Sequence, residues 1–481
     1  MSKLSSCQRR LFAVLLFAAL FGSTRAARAS GFFYSDLGAR ELGRGATGTA
    51  GAGDLSAIIY NPAGLADLPG LNVQLDLQLA TQGTGFTRGG GCGATLYPCA
   101  TVADSAGFFP NTMSGVSLDL GVVSPSLKGL VVAAGIHGPP AVGSHSYPDP
   151  RDFNTAADIA AGAPQRYTLI SSNNLILYPG ISAGYRLTDW LAIGAGAELR
   201  YFHINQTQSL FAIGGISGDY PDFDAIADVD AKQVAYPVFN GGLIVKPISS
   251  LPKFSVGLSG HLGAPVSADG TIAITTPAAA HALDITVQGN QCHVDLRLPG
   301  DARLGLQWKG DRTLFEFDGT WEGWGAVHNI TVTPENVAIV SGGGPNPTVS
   351  PVSPIVLNKD FHAAYTARLG GEWLLPTDLP GSIELTLRAG GIYESSAIPD
   401  ATLGVDFVDG PRFASTIGFT LASHGFALTM GYAHYFQSSR DVTDSISTRV
   451  NAIPAPPFIV GNGTYQTSLD ALGIDLSWRG M

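Results

Sequence analysis

Three glycines near the N-terminus have the spacing of a dinucleotide-binding turn. The stretch Gly43–Gly48 reads GRGATG and matches GxGxxG, a pattern in which the backbone approaches a pyrophosphate at the start of a helix. That chemistry needs a strand before the turn, a helix after it and an acidic residue about 20 residues further on. No strand pattern precedes Gly43, and the acid at a suitable distance, Asp67, lies in a link with proline and glycine. We therefore predict no nucleotide site here.

Other residue patterns that could do chemistry are also missing from the sequence. The ten histidines show no HExxH pair or similar metal-ligand spacing, and there is no GxSxG nucleophile turn. His203, His261 and His434 fall on separate predicted strands without an evident serine nucleophile. The sequence predicts no enzyme, no cofactor and no metal site.

The N-terminus is typical of an export signal. The basic stretch Lys3–Arg10 precedes the apolar run Leu11–Gly22, and Ala27–Ala29 fits the small-x-small cleavage rule. A run of about 12 apolar residues is too short to cross a bilayer as a helix. We predict a signal peptide over residues 1–29.

The charge balance and the cysteines are consistent with export. The whole chain has a net charge of −11, and the predicted signal peptide removes five of its 27 basic residues. Such an acidic chain does not favour nucleic acid, whose phosphates need basic partners. Cys92 and Cys99 lie close together in a glycine-rich segment, so we predict a disulfide between them. Cys292 is left without a predicted partner.

Much of the chain consists of predicted strands in which apolar and polar residues alternate strictly. Residues 71–79 read LNVQLDLQL, in which every second side chain is apolar, and the pattern recurs around residues 254–262, 315–322 and 383–388. A period of two means a strand with one apolar and one polar face. A soluble sandwich shows the same alternation. Several strands here run beyond ten residues, however, and aromatic residues gather near strand ends, as in membrane barrels (Trp190, Tyr201, Trp308, Trp321, Trp324, Trp373 and Trp478).

The lengths of the connections give the number of strands. Six short links alternate with seven long loops, one of them near residues 207–230. Alternating short turns and long loops are typical of outer-membrane barrels. The fold class is therefore predicted as all-β, a 14-stranded antiparallel transmembrane β-barrel over residues 71–481. Because a barrel of this size is too wide for its own side chains to fill, residues 30–70 are predicted to be a plug, or hatch, inside the lumen. The glycines of GRGATG then allow tight turns in a crowded space.

At this point the sequence resembles a known family. The segments SGFFYSDLGARELGRGATG and YNPAGLADLPG near the mature N-terminus, then YRLTDWLAIGAGAELRY, LPGDARLGLQWKGDRTLFEFDGTWEGWGAV and FHAAYTARLG, are similar in order and spacing to the outer-membrane long-chain fatty acid transporters, the FadL family. That family includes aromatic-hydrocarbon channels. The resemblance covers essentially the mature chain.

The resemblance implies fourteen strands, an N-terminal hatch and passive uptake. A hydrophobic ligand would move from the outer loops to an apolar pocket near the mature N-terminus, shift the hatch and leave sideways through a kinked third strand. Phe32 would fill the pocket, and Asn61, Pro62 and Ala63 would form a hatch turn that either moves or stays fixed. We expect Arg44 to pair with a lumenal carboxylate such as Glu316, Asp318 or Glu322 rather than with the ligand.

A fatty carboxylate needs a cationic partner. The family has a basic residue after its fifth strand, but residues 202–208 here contain neither Lys nor Arg, which leaves the fatty acid specificity open. Lys359, near the position of a second basic residue of the family, is one candidate and Arg200 is another. A solvated surface position is the alternative for Lys359.

The third strand contains Gly135, Gly138, Pro139 and Pro140. Proline lacks the ladder donor and glycine weakens a strand, so we predict a break in the wall, a lateral opening. The alternative is that the strand simply ends at Gly138.

The predicted function is passive uptake of hydrophobic compounds through the outer membrane of a Gram-negative bacterium, with long-chain fatty acids as the first choice of ligand. The alternative is an aromatic-hydrocarbon channel, and less favoured hypotheses are a non-specific porin or a surface adhesin. The expected partners are fatty acids or hydrocarbons, outer-membrane lipid and lipopolysaccharide, and the barrel-assembly machinery.

Overall fold

The computed structural model describes residues 37–90, 100–138, 144–154, 162–212, 218–246, 253–277, 280, 284–342, 345–376, 380–452 and 454–480. Fourteen antiparallel wall strands follow one another along the chain, three of them in two pieces. They are β1 (Leu71–Arg88), β2 (Phe108–Asp119), β3 (Leu130–His137), β4 (Leu175–Thr188), β5 (Leu191–Phe211), β6 (Asp224–Val245), β7 (Phe254–His261 and Ala264–Thr275), β8 (Gln291–Leu298 and Asp301–Lys309), β9 (Thr313–Glu322 and Asn329–Glu335), β10 (Ala364–Leu374), β11 (Glu384–Glu394), β12 (Arg412–Ser423), β13 (Phe426–Gln437) and β14 (Gly463–Gly480).

The sheet closes into a barrel. Each wall strand pairs with its neighbours in sequence, and β1 pairs with β14 from Leu71↔Gly480 to Arg88↔Gly463. Closure satisfies the backbone groups that an edge strand would expose. The predicted number of strands and the predicted topology are confirmed.

The two faces of the wall follow the alternation of the sequence. On β1, Leu75 and Leu77 are 61% and 45% exposed, whereas Asp76 and Gln78, which alternate with them, are buried. Apolar residues therefore face outward and polar residues face the lumen, the reverse of a soluble protein and the arrangement of a barrel in lipid.

One end of the barrel has short turns and the other has long loops. At the long-loop end several strands extend further than expected: β5 runs to Phe211 and β6 starts at Asp224, within the predicted loop 207–230. Residues 207–211 and 224–227 of this extension are all buried and do not alternate between apolar and polar side chains, so the period-two pattern could not reveal them as strands. Further short strands at this end are Val102–Ala103, Ser144–Ser146, Ser171–Asn173, Ile285–Gln288, Ala338–Ser341, Thr348–Pro351, Ile355–Asn358 and Arg440–Val442.

The lumen at the long-loop end contains a large apolar cluster. It includes Phe86, Phe202, Ile272 and Val294, all buried. Trp324 belongs to it as well: its side chain is fully buried, and its Nε1 donates to Glu322 Oε2 at 2.7 Å. The expectation that Trp324 lies in an outer aromatic girdle is therefore wrong, because it lies in a short 3₁₀ turn between the two pieces of β9 and is buried there.

Residues 37–70, hereafter the N-terminal segment, lie inside the barrel toward the short-turn end. The segment contains α1 (Ala39–Gly43), α2 (Ala57–Tyr60) and a 3₁₀ helix (Pro62–Asp67). Most of its residues are buried against the wall. Among the described residues, no helix combines the length and hydrophobicity that a membrane crossing requires.

Candidate functional site

The N-terminal segment rests on inward-facing glycines of the wall. A Cβ at Gly370 would overlap the carbonyl oxygen of Arg44, and one at Gly257 would overlap that of Thr49. Such a close approach of two backbones leaves no room for a side chain. Nine strands contribute a glycine of this kind: Gly184, Gly194, Gly257, Gly305, Gly370, Gly390, Gly418, Gly431 and Gly473. We call these nine residues the glycine seat.

Polar side chains of the wall satisfy the backbone of the segment. The amides of Gly48 and Thr49 donate to Asp318 Oδ2 at 2.9 and 3.0 Å, and the amide of Ala50 donates to Glu316 Oε1 at 2.7 Å. A segment with so little regular structure needs such acceptors, because unpaired buried amides are costly. The glycines of GRGATG thus pack closely against the wall, as expected for tight turns in a crowded lumen.

A buried charge network joins the segment to the wall. Arg44 Nη1 lies 3.0 Å from Glu372 Oε1 and 3.6 Å from Glu316 Oε2, and its Nη2 lies 3.2 Å from Glu41 Oε1. Arg40 Nη2 contacts the same Glu372 oxygen at 2.8 Å. The expected pairing of Arg44 with Glu316 is present, but Glu372 and Glu41 were not foreseen as partners.

Glu41 is a buried carboxyl group with one oxygen that has no hydrogen-bond partner among the described residues. Burial is the main influence on it and, together with the Asp54 carboxylate, raises the pKa of Glu41 from 4.5 to about 8, against the opposing effect of Arg44. The pKa of Glu41 therefore depends on the N-terminal segment staying bound to the wall.

Asn61, Pro62 and Ala63 form a structured turn at the start of the 3₁₀ helix. The side chain of Asn61 accepts from the Ala63 amide at 3.1 Å and donates to the carbonyl oxygens of Thr49 at 2.7 Å and Leu243 at 3.1 Å. A proline at the first position suits a helix start, where its missing N–H costs nothing. The turn is tied both to its own segment and to β6.

A cavity of about 120 Å³ lies between the N-terminal segment and the wall. Its apolar lining includes Leu37 and Ile59 of the segment and Val238, Leu262 and Leu298 of the wall. Its polar lining comes from six strands and comprises His137, Tyr178, Glu198, Arg200, His261, Asp301, Arg303 and Glu322. The cavity is therefore an apolar space with a restricted set of polar groups, which is the usual composition of a small-molecule site.

Arg200 is the cation of this cavity without an acidic partner among the described residues. It is buried, and its Nη2 donates to Gln233 Oε1 at 2.7 Å while its Nη1 donates weakly to the Ala264 carbonyl at 3.4 Å. Its guanidinium lies 4.9 Å from the ring centre of Tyr236. Its Nε has no hydrogen-bond partner in the described structure. A buried charge normally has a counter-ion, so Arg200 is a candidate to bind an anion.

The second arginine of the cavity is already paired. Arg303 Nε donates to Asp301 Oδ1 at 3.2 Å, and Asp301 Oδ2 lies 2.9 Å from His261 Nδ1. The Arg303 guanidinium also lies 5.2 Å from the ring centre of Tyr60 in α2. Arg200 and Arg303 therefore differ: only Arg303 has a carboxylate to neutralise it.

Lys359 is not in this cavity. Its Nζ lies 2.5 Å from Asp406 Oδ2, and both side chains are buried at the long-loop end, where they border a separate polar cavity of about 330 Å³. The solvated surface position considered for Lys359 is wrong, because Asp406, 47 residues further along the chain, covers and neutralises it. The structure does not bring Lys359 and Arg200 together.

The ladder of β3 is regular at Gly135, contrary to the expected break. Gly135 is paired with Gly115 of β2 and Gly180 of β4. Glycine keeps both backbone hydrogen-bonding groups, so it can remain in a ladder; here the missing side chain leaves room for Ile58. The strand ends at His137, and the Gly138 amide adds a bond to the Thr112 carbonyl at 3.2 Å.

Beyond His137, the described residues include no further pairs of β3 with β2 or β4. β2 extends to Phe108 and β4 to Leu175, whereas their last pairs with β3 are Met113↔His137 and His137↔Tyr178. Within the described residues, the β3 ladder is therefore uninterrupted as far as His137.

Several predicted residues lie outside the described residues. These are Phe32, the cysteines Cys92 and Cys99, and Pro139 and Pro140. Cys292 is described and is a buried free thiol. Within the described ranges no group of three or more His, Cys, Asp or Glu side chains is arranged to hold a metal ion.

Sequence reasoning missed the polar residues that meet in the lumen. Glu372, Asp76 and Glu198 each alternate with apolar neighbours, so their inward direction could be deduced, but their partners are distant in sequence. The residues of the glycine seat could be noticed in the sequence, because glycines recur inside otherwise regular strands. That pattern alone does not say which part of the chain approaches them.

A closed fourteen-stranded antiparallel barrel with an apolar outside and a lumen filled by its own N-terminal segment is a transmembrane β-barrel. The sequence pattern of the family described as outer membrane protein transport protein (OMPP1/FadL/TodX) matches residues 151–467, and the chain belongs to this family. It is thus an outer-membrane transport protein. The comparison with curated proteins found no match.

Solved structures of the same fold agree with this assignment. A FadL homologue from Pseudomonas aeruginosa matches with a TM-score of 0.73 and 14% identity, over 94% of this chain and 100% of that one. The toluene transporter TbuX of Ralstonia pickettii matches with a TM-score of 0.60 and 14% identity, over 93% and 99% of the two chains. The toluene transporter TodX of P. putida matches with 0.59 and 16%, over 92% and 98%. At these identities the likeness concerns the fold alone.

Proposed function

We propose that the protein is a passive outer-membrane uptake channel for hydrophobic compounds and that long-chain fatty acids are its preferred ligands. The observation that carries the proposal is the cavity between the N-terminal segment and the wall, whose lining combines apolar and polar residues and includes Arg200, an arginine without a carboxylate partner among the described residues. A fatty carboxylate supplies the missing anion, and its hydrogen bonds to a guanidinium are among the stronger kind.

The apolar lining supports the chain of such a ligand. Leu37, Ile59, Val238 and Leu262 border the same cavity. Each methylene group that leaves water contributes about 0.8 kcal/mol, so part of an alkyl chain near these residues adds to the interaction of the head group. A polar solute of a non-specific porin gains nothing from such a lining.

We further propose that the N-terminal segment is the hatch and that the ligand leaves sideways beside the end of β3. The glycine seat and the Arg44 network hold the segment at the short-turn end, so passage in that direction requires breaking many directional contacts. A side exit after Gly138 leads a long alkyl chain into lipid and avoids the cost of exposing it to water.

Binding of dodecanoate to purified protein tests the role of Arg200. Arg200→Leu should weaken dodecanoate binding about 10- to 100-fold, the value of a charge-assisted hydrogen bond, and should leave toluene binding unchanged. Arg297→Leu is the matched control, because Arg297 is an exposed arginine of β8 outside the cavity. Equal dodecanoate affinity in both variants would contradict the proposal.

Regularising the end of β3 tests the side exit. The combined change Gly138→Val, Pro139→Thr and Pro140→Val should leave dodecanoate binding intact and lower its uptake by cells sharply. The assembled state of the barrel is checked by its heat-modifiable migration in gel electrophoresis. Uptake at the unmodified rate would favour passage past the hatch instead.

An aromatic hydrocarbon is the second candidate ligand. The cavity volume of about 120 Å³ is close to the roughly 150 Å³ of an apolar cavity that takes up benzene, and two structures of the same fold are titled toluene transporters. Toluene binding that is tighter than dodecanoate binding and insensitive to Arg200→Leu would favour this alternative.

A further inference from the structure

A series of buried hydrogen bonds connects the end of β3 to the N-terminal segment. Glu198 Oε1 accepts from His137 Nε2 at 3.1 Å and from Asn240 Nδ2 at 3.0 Å. Asn240 Nδ2 also donates to the carbonyl oxygen of Ile58 in α2 at 3.1 Å. The three side chains come from β3, β5 and β6, and each is less than 10% exposed. The series therefore links three wall strands to the N-terminal segment.

The direction of each bond follows from the chemistry of the groups. A carboxylate accepts only, so His137 donates through Nε2–H, and the two hydrogens of the Asn240 amide are used on Glu198 and Ile58. Glu198 is thus the shared acceptor of two donors. Because buried donors without acceptors are costly, losing Glu198 from this position releases both His137 and Asn240.

His137 is the last residue of β3, and its pairs with Met113 and Tyr178 are the last that β3 makes with its two neighbours in the described part of the chain. Its ring stacks on Tyr178 of β4 with 5.1 Å between ring centres. The end of the strand is therefore held by side-chain contacts in addition to its ladder, and Glu198 is one of them.

The same residues line the cavity that contains Arg200. His137, Tyr178 and Glu198 all border it, so an anionic head group bound at Arg200 lies among them. On this basis, and on the basis of the proposed function, we propose that Glu198 is a positioning residue that ties the end of β3 to the N-terminal segment, and that the carboxylate of a bound fatty acid replaces Glu198 as the acceptor of His137. Ligand binding then frees the end of β3 where the side exit starts.

Hydrogen–deuterium exchange with dodecanoate and with dodecanol tests this coupling. Dodecanol has the same chain but no negative charge. In the unmodified protein, saturating dodecanoate should raise exchange at residues 134–137 about tenfold, and dodecanol should not. His137 then bonds to the ligand and no longer to Glu198 of the wall, and one charge-assisted hydrogen bond to the wall has about this value. Glu198→Gln should show raised exchange there without any ligand and no further response to dodecanoate.

Asp470→Asn is the matched control. Asp470 Oδ1 lies 2.7 Å from His434 Nδ1 on the outer wall, so the change removes a His–carboxylate pair of the same kind away from the cavity. This variant should respond to dodecanoate as the unmodified protein does. If Glu198→Gln fails to assemble, His137→Phe retains a ring against Tyr178 but loses the donor, and it should abolish the response to dodecanoate.

The outcomes separate this inference from the proposed function. Dodecanoate that binds through Arg200 without changing exchange at residues 134–137, or a Glu198→Gln variant that behaves as the unmodified protein, overturns the coupling and leaves the uptake proposal standing. Dodecanoate that does not bind at all overturns the proposed function. An equal response to dodecanol also overturns the inference, because replacement of Glu198 requires a carboxylate.

Discussion

The two halves of the lumen are filled in different ways. Toward the short turns, the N-terminal segment is held by the glycine seat, by wall side chains that accept from its amides and by the Arg44 network. Toward the long loops, the lumen is occupied by apolar side chains such as Phe202, Ile272 and Val294. The first half depends on directional contacts between charged and backbone groups, and the second on non-directional hydrophobic packing.

The apolar half is closed at the level of the loops by a separate charge cluster. Arg88 Nη1 lies 2.7 Å from Asp219 Oδ2, Arg166 contacts both Asp219 and Asp224, and the Tyr167 hydroxyl donates to Asp224 at 2.7 Å. Burial acts to raise the pKa of Asp219, but Arg166 and Arg88 outweigh it and hold that pKa below its usual value. This cluster of charged groups fixes the loops at the long-loop end to one another.

This difference between the two halves of the lumen indicates where a hydrophobic molecule can pass. An apolar ligand can replace apolar contacts with little change in the area removed from water. In the other half, any displacement leaves buried charges and amides unpaired, which costs far more per contact. We therefore expect the long-loop half to repack around a ligand and the N-terminal segment to stay largely in place.

Arg44→Leu should give the largest effect on this comparison. It removes the cation of buried Glu316, which has no other cationic partner among the described residues, and breaking a buried pair by removing one partner costs about 3–5 kcal/mol. We expect hydrogen exchange over residues 39–67 to increase strongly and channel conductance of the purified barrel to appear. The conservative change Arg44→Lys should recover part of the protection. Protected amides in Arg44→Leu would show that the charge network does not hold the segment.

Gly370→Val should have the next largest effect. Its side chain would overlap the Arg44 carbonyl, and overpacking of this kind costs about 1–3 kcal/mol. The segment should be displaced and its exchange should rise, without loss of the barrel. Gly319→Val is the control: Gly319 has open space around its Cβ position and should behave as the unmodified protein. Similar exchange in the two variants would argue against a seat built on close contact.

The Glu41 carboxyl group should have a smaller effect on the stability of the bound N-terminal segment, and this effect depends on pH. Because the pKa of Glu41 is raised to about 8 in the folded protein from 4.5, the seated segment binds a proton that the released segment loses between these values. The stabilisation that this proton gives to the bound N-terminal segment should therefore be complete below pH 4.5 and be lost as the pH rises to about 8. Glu41→Gln should remove this dependence in exchange measurements from pH 5 to 8. A dependence that persists in Glu41→Gln would assign it to another group.

The sequence allowed the barrel itself to be predicted, because alternation is local. Leu75 outward and Asp76 inward follow directly from period two, and connection lengths gave fourteen strands. The contacts across the lumen could not be predicted in the same way. Arg40 and Glu372 are 332 positions apart, and their meeting depends on the register of many strands. The end of β3 was only partly foreseen, since Gly135 lies in a regular ladder and the strand continues to His137.

Ile272→Val should give the smallest effect and tests whether the two halves are independent. Ile272 is fully buried in the apolar cluster of the long-loop half, and loss of one methylene group there costs about 0.5–1.5 kcal/mol. We expect faster exchange near residues 226–230 and 271–275, which form one ladder, and no change over residues 39–67. Because distant sites without shared partners are additive within about 0.3–0.5 kcal/mol, the double variant with Gly370→Val should show the sum of the two single effects in denaturant unfolding. A larger deviation would mean that the apolar half and the seat respond together, and the ligand would then act on the N-terminal segment through packing rather than through the polar groups of the cavity.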